Sequence, residues 1–251
     1  QSEPATATHW IFPAAIPSNN YTKQVELVSV YRDTLMDVDG EETFRKCNYA
    51  FNHGGIDSAL AMLNRNLDLN ITDYVAVDFM ALVAAVDAVD GIDIELTDAE
   101  VEAMNGGYIG EVGAIVGKDT NPVSAGSQHL DGVQATAYCR IRSTAGDDFR
   151  RTERQRTVLT QIIAKAKSAS PTQLASLITG VFPDVDTSID MDQLLYLAKN
   201  MMDYDLGETK GFPFSKTTDR FGDSIGDAVV PCSLESNVVL LHQELYEDSE
   251  Y

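Results

Sequence analysis

Basic residues, cysteines and long apolar runs are all scarce in this chain of 251 residues, and each scarcity closes off a class of function. Lysine and arginine number 18 against 39 acidic residues, a formal net charge of −21. That balance disfavours nonspecific binding to nucleic acid or to an anionic membrane surface. The three cysteines, Cys47, Cys139 and Cys232, form no CxxC pair and keep no ligand spacing with the four scattered histidines, so a zinc site is not expected. Their odd number allows at most one internal disulfide, and three buried thiols fit the sequence equally well. No stretch approaches the roughly 18–20 apolar residues of a membrane-spanning helix. The first twenty residues also lack the basic start and apolar run of a signal peptide. Any anchoring or export segment is therefore expected outside this chain.

What is present is an ordinary globular composition, 44% hydrophobic and 23% charged, long enough to bury a substantial core. Residues 24–31 alternate and are valine-rich, as a strand does, and 74–79 and 92–96 read as further strands. Helical spacing predicts helices from about Glu41 to Leu67 (broken at His53-Gly54-Gly55), after Phe79, from Asp131 to Tyr138 and from Arg151 to Lys167. Later helices start at Ser170-Pro171, Asp190 and Ser233. Thr97-Asp98-Ala99-Glu100 has the form of a capping box. Residues 104–127 are glycine-rich and read as a long loop or lid, with a glycine spacing that matches neither a dinucleotide nor a phosphate-loop motif. Cys139 to Arg142 reads as extended. Strands interleaved with helices, with no repeat and no linker, point to a single α/β domain of stacked layers.

The charge is unevenly placed. Arg140, Arg142, Arg150, Arg151, Arg154 and Arg156 fall within seventeen residues and, set against Asp147, Asp148 and Glu153, make that window +3 in a chain of −21. A local cation cluster on an acidic body suggests a small anionic ligand; the competing reading is a set of surface salt bridges. Arg32 stands at the end of the first convincing strand. In an extended segment Arg140 and Arg142 would share a face. Asp148, Arg151, Gln155, Val158 and Ile162 form one helical stripe, polar at its N-terminal end and apolar beyond. Arginine's planar fork suits phosphate oxygens, and a helix N-terminus adds free N–H groups and a positive dipole end.

The segments LVSVYRDT, KCNYAFNHGG, LDGVQATAYCRIR and DFRRTERQ, in this order, resemble those of the LytR-CpsA-Psr family, from about Lys23 to the C-terminus. The resemblance implies a three-layer α/β/α sandwich with a central mixed sheet, as one domain over residues 23–251. It also implies a phosphotransferase of the outer face of the bacterial cytoplasmic membrane and cell wall, attached to the membrane by a segment absent from this chain. Such a protein moves an anionic glycopolymer from an undecaprenyl-pyrophosphate carrier to a hydroxyl of peptidoglycan. On that reading Arg32, Arg140, Arg142 and Arg151 hold the pyrophosphate and Gln155 supports the grip. Asp148 orients or deprotonates the attacking hydroxyl, with Arg142 and Arg151 stabilising the transferring charge.

The resemblance further implies Mg²⁺, held by aspartates upstream of the strand-end arginine. Residues 1–22 depart from that pattern, since their one acid is Glu3, and no metal ligands are identifiable here. The alternative reading is a non-catalytic, degenerate or truncated binder of polyprenyl-linked phosphates.

Overall fold

A computed structural model describes residues 14–15, 23–142, 147–182 and 185–246. In chain order the elements begin with β1 (Ala14–Ala15), β2 (Gln24–Val30), β3 (Leu35–Asp37), β4 (Phe44–Lys46) and α1 (Asn48–Leu67). Next come β5 (Val75–Val77), α2 (Phe79–Ala88), β6 (Ile92–Leu96), α3 (Asp98–Ala103), a π-helical turn (Met104–Tyr108) and α4 (Ile109–Val116). They are followed by β7 (Gly126–Leu130), α5 (Gly132–Arg140), α6 (Asp147–Ser168), α7 (Pro171–Val181), β8 (Val185–Thr187) and α8 (Met191–Asn200). The chain continues with β9 (Asp205–Phe212), β10 (Lys216–Phe221), α9 (Gly222–Ile225), β11 (Gly226–Pro231) and α10 (Leu234–Tyr246). The α/β class read from the sequence holds, with parallel and antiparallel strand pairs both present.

Two compact units can be distinguished, one running from Tyr74 to Asp203 and the other joining the described residues up to Asp73 to those from Tyr204 on. In the discontinuous unit β2 lies between β1, antiparallel, and β9, parallel. Leu27, Val28 and Ser29 of β2 are buried. Val28 joins Met36, Met62, Leu63, Leu67, Phe212 and Leu241 in one apolar cluster. Asn237, fully buried on α10, secures the loop before β10: its Oδ1 accepts from Ser215 N at 2.9 Å and its Nδ2 donates to Ser215 O at 2.9 Å.

In the continuous unit β6 alternates as a half-buried strand should, with Ile92, Ile94 and Leu96 inward and Asp93 and Glu95 outward, and pairs antiparallel with β7. Side chains supply the N–H partners that helix starts lack. Thr97 and Glu100 form a capping box on α3, Asp131 and Gln134 on α5, and Ser170 and Gln173 on α7. Leu82, Val83, Val86, Met104, Val112, Leu130, Val133, Ile141 and Val158 lie in one core beneath them.

Four local expectations are corrected. Residues 104–127 are not one loop, because Met104, Tyr108 and Val112 recur every four residues and turn an apolar edge to the core, which holds the π-turn and α4 in place. Gly107 takes non-helical angles at the kink between the two turns (φ 170, ψ −38). Cys139 and Arg140 are helical rather than extended, since burial of Cys139 completes the inner face of α5. The strand at 74–79 shrinks to β5 because Asp78 caps α2, its side chain accepting from Ala81 N at 2.9 Å. Finally, Phe44–Lys46 pairs with β3 before the helix begins at Asn48, while the break expected at His53-Gly54-Gly55 is present at Gly55 (φ 68, ψ −158).

Candidate functional site

Helix α5 is buried at every position from Gly132 to Cys139, so Arg140 is the point at which its sequence turns polar. The start of the helix is fixed from outside as well as by its capping box, because Gly132 N donates to Asp87 Oδ1 at 2.8 Å. At the other end the Arg140 guanidinium lies over the Phe79 ring, 4.7 Å from its centroid, and Nη2 donates to Glu111 Oε2 at 3.2 Å. Its Nη1 is buried with no hydrogen-bond partner among the described residues. A charged donor in that position favours an acceptor, since an unmet buried donor costs about 1–3 kcal/mol.

Arg142 is exposed, and its backbone N–H donates to the Tyr108 hydroxyl at 3.2 Å. The helical end of α5 means that Arg140 and Arg142 do not share a strand face as the sequence suggested. Helix α6 packs on α5 and buries Arg151 and Gln155, 4% and 8% exposed and one turn apart. Asp148 lies in the first turn of α6, with its side chain outside the described residues.

Two other arginines of the cluster take the salt-bridge role. Arg154 is buried, with Nε donating to Glu100 Oε1 at 2.8 Å and Nη1 to Ile141 O at 3.2 Å. The Glu100 carboxyl is pushed up by burial, but hydrogen bonds from the Thr97 backbone and from Arg154 outweigh this and hold it below its ordinary value. Arg150 pairs with Glu153 one turn away, at 3.2 Å on the surface.

Arg32 belongs to the discontinuous unit, just past β2. Its carbonyl accepts from the Cys47 thiol at 3.0 Å and from Asn48 N at 3.3 Å, so the start of α1 clamps its backbone. Its Nε stands 3.7 Å from Asp33 Oδ1, which Lys46 Nζ also approaches at 3.5 Å. Burial, reinforced by Asp33, pushes the Cys47 thiol up to about 12. Of the residues read from the sequence, Arg140, Arg142, Arg151 and Gln155 thus fall in one compact unit and Arg32 in the other.

Sequence reasoning missed Phe79, Tyr108 and Glu111. Asp78 before an apolar run is an N-cap signal that would have placed Phe79 on a helix. Glu111 and Tyr108 lay in the stretch read as a loop. A cavity of about 320 Å³ in the same unit, with Asp87, Asp90, Asp131 and His129 in its lining, includes none of these arginines and suits no phosphate. Among the described residues no group of three or more histidines, cysteines or acids is placed to hold a metal. No helix among them is long and apolar enough to cross a membrane.

Comparison with known proteins gives these residues a context. The polyisoprenyl-teichoic acid–peptidoglycan teichoic acid transferase TagU of Bacillus mycoides (strain KBAB4) is 32% identical over 186 residues, 73% of this chain and 55% of that protein. TagU of Bacillus cereus (strain AH820) is 31% identical over 189 residues, 74% of this chain and 56% of the relative. The chain therefore spans little more than half the length of these relatives. Among solved structures, TagT bound to LIIa-WTA superposes with a TM-score of 0.73 at 19% identity, covering 92% of this chain and 81% of that one. TagV of B. subtilis gives 0.68 at 24% identity, covering 89% and 84%. At those identities the likeness establishes a shared fold. The LytR_cpsA_psr family model matches residues 16–218, a span that includes the strand-end arginine and both arginine-bearing helices, and the chain belongs to the LytR_cpsA_psr family.

Proposed function

We propose that this chain is the catalytic domain of a phosphotransferase that moves an anionic glycopolymer, of the teichoic acid class named for its relatives, from a polyprenyl-pyrophosphate carrier to a peptidoglycan hydroxyl. The observation that carries the reading is the arginine grouping of α5 and α6: Arg140 and Arg142 at the exit of one buried helix, Arg151 and Gln155 buried on the helix packed against it. In a chain of net charge −21, such a concentration of guanidinium groups selects a compact, doubly charged anion over an extended polyanion.

The sugar hydroxyl oxygen forms a bond to the phosphorus bearing the polymer while the bond from that phosphorus to the bridging oxygen breaks. Prenyl phosphate departs with the electron pair. The hydroxyl proton passes to a base, the role assigned to Asp148 on the first turn of α6. Arg140, Arg142 and Arg151 offset the charge that develops on the phosphoryl oxygens, and Gln155 supports Arg151 from the next turn. Little covalent work falls to the protein, so charge stabilisation supplies most of the rate. Chemistry on a prenyl-linked donor with a cell-wall acceptor belongs at the outer face of the cytoplasmic membrane. The Mg²⁺ expected from the family finds no ligand cluster among the described residues.

The test is transfer of a labelled glycan from a synthetic polyprenyl-pyrophosphate donor to peptidoglycan. Arg142 is exposed, so Arg142→Ala should leave the melting temperature unchanged and lower the rate roughly 100- to 1,000-fold. Wild-type turnover in that variant would overturn the assignment. Tight donor binding without turnover in the unaltered protein would favour the non-catalytic binder.

A further inference from the structure

We infer that Phe79 and Glu111 are positioning residues for Arg140, fixing its guanidinium in the orientation that meets a phosphate oxygen; the inference rests on the pyrophosphate reading above. A free arginine side chain has several soft torsions, and each must be frozen before a directed hydrogen bond forms. Here three constraints act at once. The Phe79 ring, 4.7 Å from the guanidinium carbon, sets the plane through its negative face. Glu111, 3.2 Å from Nη2, sets the rotation within that plane. Fully buried α5 holds the backbone.

What those constraints leave is Nη1, buried and without a hydrogen-bond partner among the described residues. One turn earlier on the same helix face, Thr136 Oγ1 is likewise buried without a partner. The Arg140 side chain keeps 25% exposure, so its charge meets a phosphate from the open side and no rotamer search precedes binding.

Phe79 is itself set by the first turn of α2, which Asp78 caps. Loss of the stack should be read as a change of several-fold in affinity. The experiment is calorimetric titration of the full chain with inorganic pyrophosphate. Phe79→Leu keeps apolar volume and removes the ring face; it should weaken binding about 3- to 10-fold. Phe79→Tyr should restore binding to within about twofold, since it keeps the ring face. In an Arg140→Ala background Phe79→Leu should have no further effect, a coupling that a merely structural role would not produce.

Undiminished binding in Phe79→Leu, with binding lost in Arg140→Ala, would overturn the positioning role and leave the phosphate site standing. Undiminished binding in Arg140→Ala would remove the phosphate reading itself. Should Phe79→Leu fold poorly, Glu111→Gln against Arg140→Ala gives the same cycle from the exposed side, and additive effects there would overturn the inference.

Discussion

Arg154 Nε lies 2.8 Å from Glu100 Oε1, with the two side chains only 6% and 11% exposed, so the arginine-rich helix α6 is tied to α3 by a buried ion pair. The tie is completed by the Ile141 carbonyl, which accepts from Arg154 Nη1, and by the Tyr138 ring 5.8 Å from the guanidinium carbon. Ile141 directly follows Arg140. The pair therefore anchors the backbone that connects the two arginine-bearing helices.

Glu100→Ala should then leave an uncompensated guanidinium in the core and cost about 3–5 kcal/mol, read from urea denaturation. Arg154→Ala should cost a similar amount. Replacing both by methionine should cost clearly less than the sum, because the damage comes from one orphaned charge rather than from loss of attraction. A cost below about 1 kcal/mol for either single variant would mean that the pair is solvated and not a core element.

The same carboxyl predicts an acid dependence. Burial raises its proton affinity, but the Thr97 backbone and Arg154 lower it by more, so it binds its proton less tightly in the folded chain than at its ordinary value of 4.5. A depressed folded value contributes stability that is complete above the unfolded value and lost as pH falls through the folded one. The urea midpoint should thus fall from about pH 4.5 downward, and Glu100→Gln should flatten that part of the profile relative to wild type. An identical slope in the two proteins would place the acid sensitivity elsewhere.

The three cysteines differ sharply in access. Cys47 and Cys139 are buried and Cys232 is exposed, all three as free thiols. Burial pushes both buried thiols up, Cys47 to about 12 and Cys139 further, so neither provides the thiolate that an electrophile needs. A thiol reagent at neutral pH should label one site per native chain, and Cys232→Ser should abolish that labelling. Two further sites should appear on denaturation. Rapid native labelling of the Cys232→Ser variant would contradict the burial of the other two.

These contrasts show which parts of the molecule the chain's letters made readable. Strand β6 was read at its observed bounds because Ile92, Ile94 and Leu96 alternate with acids, and the Thr97–Glu100 box was read because local capping chemistry needs no distant partner. The arginines were found by their density. What escaped was decided at a distance: Glu100 is paired with a residue 54 positions away, and Glu111 with one 29 away, which no local period reveals. Phe79 was misplaced because a three-residue strand and the first turn of a helix are both apolar there. Burial of α6's arginines ran against composition, which places charged residues outside unless a partner is known. So Arg154, counted in the arginine-dense window but given no role of its own, proves to belong to the core.

Helix α5 supplies a last prediction, since its position sets that of Arg140. A Cβ on Gly132 would stand 2.3 Å from the Val83 carbonyl oxygen and 2.8 Å from Val83 Cα, contacts that α2 cannot relieve by turning a side chain. Gly132→Ala must therefore push α5 away from α2. The helix preference of alanine offers about 1 kcal/mol in return, and overpacking of this kind costs about 1–3 kcal/mol, with clashes on backbone at the upper end. The variant should melt below wild type. Because Phe79 is on α2 and Arg140 on α5, it should also bind pyrophosphate more weakly. Gly180→Ala on α7, where a Cβ meets nothing within 4 Å, is the matched control and should be neutral or slightly stabilising. Equal melting temperatures for Gly132→Ala and wild type would show that α5 can shift freely, and the pre-set geometry of Arg140 would lose its foundation.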